Sequence, residues 1–410
     1  MSAAGLTLER ADVAPASGAG LRVLHVAETL IGGPASYINA IVPDQIANFG
    51  RAGVRIIGPA DQLRYLTEPD ISIGFARSGR NYASLRNMKQ AVEQAVGSFT
   101  PDIVHAHSFF AGLVVRALVE REKLADVSVL YCPHGWAFCR RTSLFAKLAS
   151  QAVELALQGR ADQVQCISQF ELHAGARAGI RADRMFCLAN RIPDSPPAGA
   201  NARTELFRSP AALRVAFLGR LDRQKGFDVL LDAARKLECK VEVLAAGVRA
   251  VDGDVDFDVP ANVAMLGWLG AEASDELIRA CDVVVVPSRW EGFGLVALEA
   301  MRAGKALVAS RVDALPELID HEVTGLLVRP ADPVALAAAL AGLSRERARE
   351  MGAAARRKFE LFFSFADYAA ALRWRYAVMA GARSARAQPT RASQGHHWRG
   401  RLLTFPSKAG

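Results

Sequence analysis

The strongest constraint on this chain is an alternation that occurs twice. Short β-branched, apolar runs are each followed by a helical stretch, on either side of a Pro/Gly-rich break. In the first half the runs are LRVLHVAE (21–28), VRIIG (54–58), DIVHAH (102–107), VSVLYC (127–132) and QVQCIS (163–168). After NRIPDSPPAGANARTELFRSP (190–210) the pattern restarts with LRVAFLG (213–219), VEVLAAG (241–247), NVAMLG (262–267), DVVVVPS (282–288) and ALVAS (306–310). Continuous apolar runs suit parallel strands covered on both faces, and strand–helix alternation predicts a doubly wound sheet. The expected fold is therefore α/β, two Rossmann-like doubly wound domains facing a cleft. The expected partition is a flexible N-terminus over 1–20, one domain over 21–195, a second over 196–380 and a basic, disordered tail over 381–410. The Ala-rich helices near 333–380 are expected on the second domain, with a crossing back to the first as the alternative.

A length of 410 residues with 51% hydrophobic and 22% charged residues fits a globular protein with a large core. No run reaches the ~18 apolar residues of a membrane-spanning helix, and the first twenty residues lack the layout of a signal peptide. A cytoplasmic location is the expectation. The six cysteines are scattered without a C-x-x-C pair, so no zinc site is expected. The net charge of +8 is matched by eight basic residues between Tyr368 and Gly410, a stretch with no acidic residue. The body is thus balanced, which argues against a nucleic-acid binder. The tail is expected to be solvated, or to meet acidic lipid at the inner membrane face.

In open α/β sheets ligands bind where strand ends lead into helices, and three such loops are built for an anion. In the first, Gly32 and Gly33 let backbone approach a ligand and Pro34 suits a helix start. This is not a dinucleotide fingerprint, since no acidic residue ends the next strand. In the second, Gly219 to Gly226, Arg220 and Lys225 stand at the sheet edge where a diphosphate would need neutralising. The third runs from Pro287 to Glu299. Glu291 sits in its turn, the amides of Gly292, Phe293 and Gly294 form a nest, and Glu299 lies in the following helix among apolar neighbours. A carboxylate there needs a partner. His105 and His107 end a strand at the ligand edge, where core or turn packing is the commoner role. His134, between Pro133 and Gly135, is the stronger site candidate. The acidic run from Asp252 to Asp258 reads as a solvated loop rather than a metal site, because it does not join a strand end to a helix.

The run Glu291–Glu299, GRLDRQKGFDVLL and LPELIDHEVTGLLVRPADPVALAAAL together resemble glycosyltransferase family four. The Gly32-Gly33 loop, PDIVHAH, Pro133-His134-Gly135 and ISQFELHAGARAGI agree more loosely, and the resemblance spans about 21–375. It implies the GT-B architecture, an N-terminal acceptor domain, a C-terminal donor domain and retention of anomeric configuration. The implied partners are a nucleoside-diphosphate sugar and a saccharide or lipid-linked acceptor, in bacterial polysaccharide or glycolipid synthesis. By position, Arg220 and Lys225 would hold the diphosphate and Glu299 the ribose. Glu291, Gly292, Phe293 and Gly294 would hold the transferred hexose. His134 would sit at the reacting bond, and Gly32 and Gly33 near the diphosphate. Fixed cations and helix N-termini stabilise a departing diphosphate, so no cofactor and no metal are expected.

Two departures bear on the donor pocket. Val312-Asp313-Ala314-Leu315-Pro316-Glu317 stands where the family usually has paired glycines, and Arg191-Ile192-Pro193 follows Asn190 in place of a glycine-led turn. The alternatives are a nucleotide-sugar epimerase or glycan phosphorylase on the same architecture, or a non-catalytic scaffold.

Overall fold

In a computed structural model, residues 20–194, 206–248 and 257–387 are described. They form two all-parallel sheets. The first has seven strands: β1 (Val23–Ala27), β2 (Val54–Pro59), β3 (Ser72–Phe75), β4 (Ile103–His107), β5 (Ser128–Cys132), β6 (Gln163–Cys166) and β7 (Met185–Cys187). The second has six: β8 (Leu213–Leu218), β9 (Val241–Ala246), β10 (Val263–Gly267), β11 (Val283–Val286), β12 (Ala306–Ser310) and β13 (Gly325–Val328). The short strands β3, β7 and β13, absent from the sequence reading, extend sheet edges where side-chain pattern is weakest.

The spatial orders are β3-β2-β1-β4-β5-β6-β7 and β10-β9-β8-β11-β12-β13. Each order reverses once, between β1 and β4 and between β8 and β11, which are the points where a doubly wound sheet opens a ligand crevice. Every residue of β1, β4 and β11 is buried, since helices cover both faces. The loops that carry the expected site leave these strands or their neighbours: Gly32-Gly33 follows β1, Arg220 follows β8 and Glu291 follows β11.

The C-terminal end departs from the expected partition. Helices α10 (Pro333–Ala341) and α11 (Arg345–Phe362) pack on the second sheet, but α12 (Phe365–Ala387) returns to the first. Its Tyr368, Leu372, Tyr376 and Met379 recur at helical spacing and join the core formed by Val23, Ile38 and Leu130. The helix runs to Ala387, so residues 381–387, expected in the tail, are helical. Three of the basic residues between Tyr368 and Gly410 bind the first domain. Arg373 pairs with Asp44, Arg383 pairs with Asp162 at 2.9 Å and donates to the carbonyls of Leu124 and Ala125, and Arg375 lies over the Phe186 ring. Residues 388–410 lie outside the described residues. No described helix is long and apolar enough to cross a membrane.

Candidate active site

The second-domain half is built from three turns. Gly226 caps α6 (Phe227–Leu237) with φ 68°, and a β-carbon there would collide with the Pro287 carbonyl. Only glycine allows the two turns to touch. That contact sets Lys225 against the Glu291 turn, and its ammonium donates to Glu291 Oε2 at 2.6 Å, with Ser288 Oγ on the same oxygen at 3.0 Å. Two residues expected to serve different parts of a donor are thus ion-paired to each other. Arg220 hydrogen-bonds Gln224 and pairs with Asp222 at 3.1 Å.

Past Glu291 the chain turns through Gly292, Phe293 and Gly294 into α8 (Leu295–Arg302), with Gly294 at φ 94°. The amides of Gly292, Phe293 and Gly294 meet no acceptor among the described residues. Three adjacent donors at a helix start are a site for anionic or hydroxyl oxygen. Glu299 follows in the second turn of α8. It is half-buried, and none of the described residues hydrogen-bonds its carboxylate. Burial raises it to about 7, with Arg302 opposing the shift and Asp275 adding to it. No described residue supplies the partner that a carboxylate in this setting requires.

The first-domain half faces this from the end of β5. His134 (φ 52°) and Gly135 (φ 96°) make a tight turn that is clamped by Glu171. One Glu171 oxygen accepts from the Gly135 amide at 2.5 Å and the other from the Ile167 amide at 2.6 Å. Burial lifts this carboxyl to about 7, against the pull of those two amides. The His134 turn then meets the Glu291 turn directly: a β-carbon on Gly292 would lie 2.9 Å from the His134 carbonyl oxygen. Gly32 and Gly33 open α1 (Gly33–Phe49), and a β-carbon on either would meet nothing within 4 Å. Their loop borders open space.

Four functional contributions escaped the sequence reading. Asp313 takes a left-handed conformation (φ 47°) where the family usually has glycine, and its carboxylate holds the Glu291 amide at 2.7 Å. Glu317 accepts from the amides of Gln169 and Phe170 at 3.0 and 2.6 Å, tying the second domain to the start of α5 (Gln169–Arg177). Glu171 clamps the His134 turn. Arg140 has no hydrogen-bond acceptor for its guanidinium among the described residues and is held below its usual range by burial and by Arg80 and Arg220. A buried guanidinium near two other cations favours an anion beside it. The only sequence signal for any of these was the departure at Asp313.

His105 and His107 are fully buried, so neither is exposed at the ligand edge. They lie on one face of β4, and His25 stands opposite His105 in register on β1. Nitrogens of His25, His105 and His107 lie within 4.8 Å of one another, close enough to converge on a cation. As described they are hydrogen-bonded instead: His25 Nδ1 and His107 Nε2 are 3.0 Å apart. Asp252 to Asp256 lie outside the described residues, while Asp258 at the end of that run is exposed and pairs with Arg235.

Two facing parallel sheets whose switch-point loops meet across a cleft, carrying a basic and amide-lined half and a histidine-bearing half, define a GT-B glycosyltransferase. The first domain matches the model "Glycosyl transferase 4-like domain" over residues 17–191, and the second matches "Glycosyl transferases group 1" over 212–346. The chain belongs to glycosyltransferase family four. It is 29% identical over 324 residues to an uncharacterized 41.2 kDa protein in the cps region of Klebsiella pneumoniae, covering 75% of this chain and 86% of that one. It is 36% identical over 279 residues to the D-inositol 3-phosphate glycosyltransferase of Segniliparus rotundus, 62% of this chain and 61% of that one. Among solved structures, sucrose-phosphate synthase from Thermosynechococcus elongatus superposes with a TM-score of 0.76 at 22% identity, over 88% of this chain and all of that one. Anabaena HepE in complex with UDP-glucose gives 0.71 at 20% identity, over 89% of this chain and 100% of that one.

Proposed function

We propose that the protein transfers a hexose-type sugar from a nucleoside-diphosphate sugar to a saccharide or lipid-linked acceptor, with retention and without an essential metal. One observation carries this reading: the amides of Gly292, Phe293 and Gly294, which meet no acceptor among the described residues, lie beside Lys225 and Glu291 and directly against the His134 turn. The ion pair gives a mechanism for loading. An incoming diphosphate takes the Lys225 ammonium, assisted by Arg220, and frees Glu291 to accept from sugar hydroxyls beside the open amides. The same cations stabilise charge that grows on the leaving diphosphate, so they act on the transition state more than on the ground state. Glu299, whose carboxylate none of the described residues hydrogen-bonds, accepts from the ribose hydroxyls in this reading. Gly32 and Gly33 approach the diphosphate from the other domain.

The acceptor side supports a lipid-linked substrate at an acidic membrane surface. Helix α4 (Leu144–Leu157) begins at the cleft beside Arg140 and Arg141, and exposes Leu144 (71%), Phe145 (82%) and Leu148 on one face. Apolar residues rimmed by cations fit a headgroup boundary. The cps-region relative agrees with a role in surface polysaccharide synthesis.

The test is a thermal-shift panel of UDP, GDP, ADP and their sugars, with and without Mg²⁺, on the wild type and Lys225→Ala. Stabilisation by one nucleotide in both metal conditions, lost in the variant, is the expected result. Stabilisation only with Mg²⁺ would overturn the metal-free reading. No response to any nucleotide would move the chain to the scaffold reading.

A further inference from the structure

A continuous hydrogen-bonded chain runs from the cleft into the core. His134 Nε2 is 3.0 Å from His107 Nδ1, His107 Nε2 is 3.0 Å from His25 Nδ1, and His25 Nε2 is 2.7 Å from Gln45 Oε1. Beyond it, Gln45 Nε2 points to the Tyr376 hydroxyl at 3.4 Å, and that hydroxyl lies 2.8 Å from His105 Nδ1. His25, Gln45, His105 and His107 are buried, and α12 seals the far end.

The chain is neutral. Burial lowers His25 to about 4 and His134 to about 3, and drives His105 and His107 well below their usual value. The other titratable groups around it are Tyr37 on α1, Cys132 on β5, and Tyr368 and Tyr376 on α12. All are pushed up by burial and keep their protons. Glu171 on α5 holds the Gly135 amide and makes no bond to the chain.

A neutral imidazole has one N–H and one lone pair, and an amide oxygen can only accept. The order is therefore forced. His25 Nε2–H donates to Gln45 Oε1, which leaves His25 Nδ1 as an acceptor. His107 Nε2–H fills it, which leaves His107 Nδ1 for His134 Nε2–H. His134 Nδ1 is then a lone pair, and it makes no hydrogen bond among the described residues.

We infer that His107, His25 and Gln45 are positioning residues that fix the Nε2–H tautomer of His134, so that its Nδ1 meets the ligand only as a hydrogen-bond acceptor. The group it selects is a hydroxyl or other donor on the substrate, and an acceptor-only substituent at that point, such as fluoro or methoxy, is rejected. The ligand half of this inference rests on the transferase reading; the tautomer half does not, because it needs no substrate.

Ring-nitrogen NMR on ¹⁵N-histidine-labelled, ligand-free protein tests it, with the His134 signal assigned through His134→Gln. Expected in the wild type is an Nε2–H tautomer favoured at least about tenfold, since the reverse polarity leaves His25 and Gln45 lone pairs facing each other. Gln45→Leu removes the acceptor three groups away and is expected to bring the His134 tautomers to within a few-fold of each other. A role in packing alone would leave the His134 tautomer unchanged in Gln45→Leu, and that result overturns the inference. So does an Nδ1–H or mixed tautomer in the wild type, the sample that decides if the leucine variant does not fold.

Discussion

The carbonyl oxygen of His134 occupies the space that a side chain at position 292 would need: a β-carbon on Gly292 would sit 2.9 Å from it. The two halves of the site are therefore spaced by bare backbone, with Gly135 on one side and Gly292 on the other. Gly292→Ala is expected to push the turns apart by a few tenths of an ångström, lowering kcat by on the order of tenfold to a hundredfold. Nucleotide affinity, which the proposed function assigns mainly to the second domain, is expected to change little. Steady-state kinetics beside nucleotide titration checks this, and an unchanged kcat would show that the contact does not set the reacting geometry.

The Lys225–Glu291 pair gives a stability signature. Glu291 is only 9% exposed, so removing the ammonium strands a carboxylate that is poorly hydrated. Lys225→Ala is expected to cost ~1–3 kcal/mol, and Lys225→Ala/Glu291→Gln less than the sum of the single changes, with a coupling of about 1 kcal/mol or more. Denaturant unfolding of the four proteins measures it. Additive costs would mean the pair is not formed in solution.

Glu299 should make stability depend on pH. Its folded value of about 7 lies above the ordinary 4.5, so folding favours the protonated form. That stability is fully present below about 4.5 and is lost as pH rises through about 7. Relative to Glu299→Gln, the unliganded wild type is expected to lose on the order of 2 kcal/mol across that window and no more above it. Melting curves from pH 4 to 8.5 test this, and parallel profiles would contradict it.

Where each feature was legible follows from the range of the interactions that make it. The Arg220–Lys225 and Glu291–Glu299 turns are local, and residue type at fixed spacing reports them. The alternation of His105 and His107 placed both on one strand face, but the register that brings His25 beside them belongs to pairing between strands. Glu171, Asp313 and Glu317 act by accepting hydrogen bonds from the amides of distant turns, and nothing in a carboxylate's own neighbourhood names that amide. The stripe Tyr368, Leu372, Tyr376, Met379 announces a buried helix without saying which domain it covers.

The exposed face of α4 predicts lipid binding. Vesicles with anionic headgroups are expected to pull down the wild type, and serine at 144, 145 and 148 to weaken that at least tenfold, since each apolar side chain contributes ~1.5–3 kcal/mol when buried. Nucleotide binding should survive. If the wild type is dimeric and the triple variant monomeric, the face joins two copies and the membrane reading falls.

The return of α12 has a consequence for how the molecule is made. The first domain is synthesised early, yet the layer over Val23, Ile38 and Leu130 is completed by a 23-residue helix that the ribosome delivers only after the whole second domain. Until then, the nascent first domain carries an uncovered apolar flank and an unsealed histidine chain. Its maturation waits on the last helix, so the order of translation and the order of completion run in opposite directions.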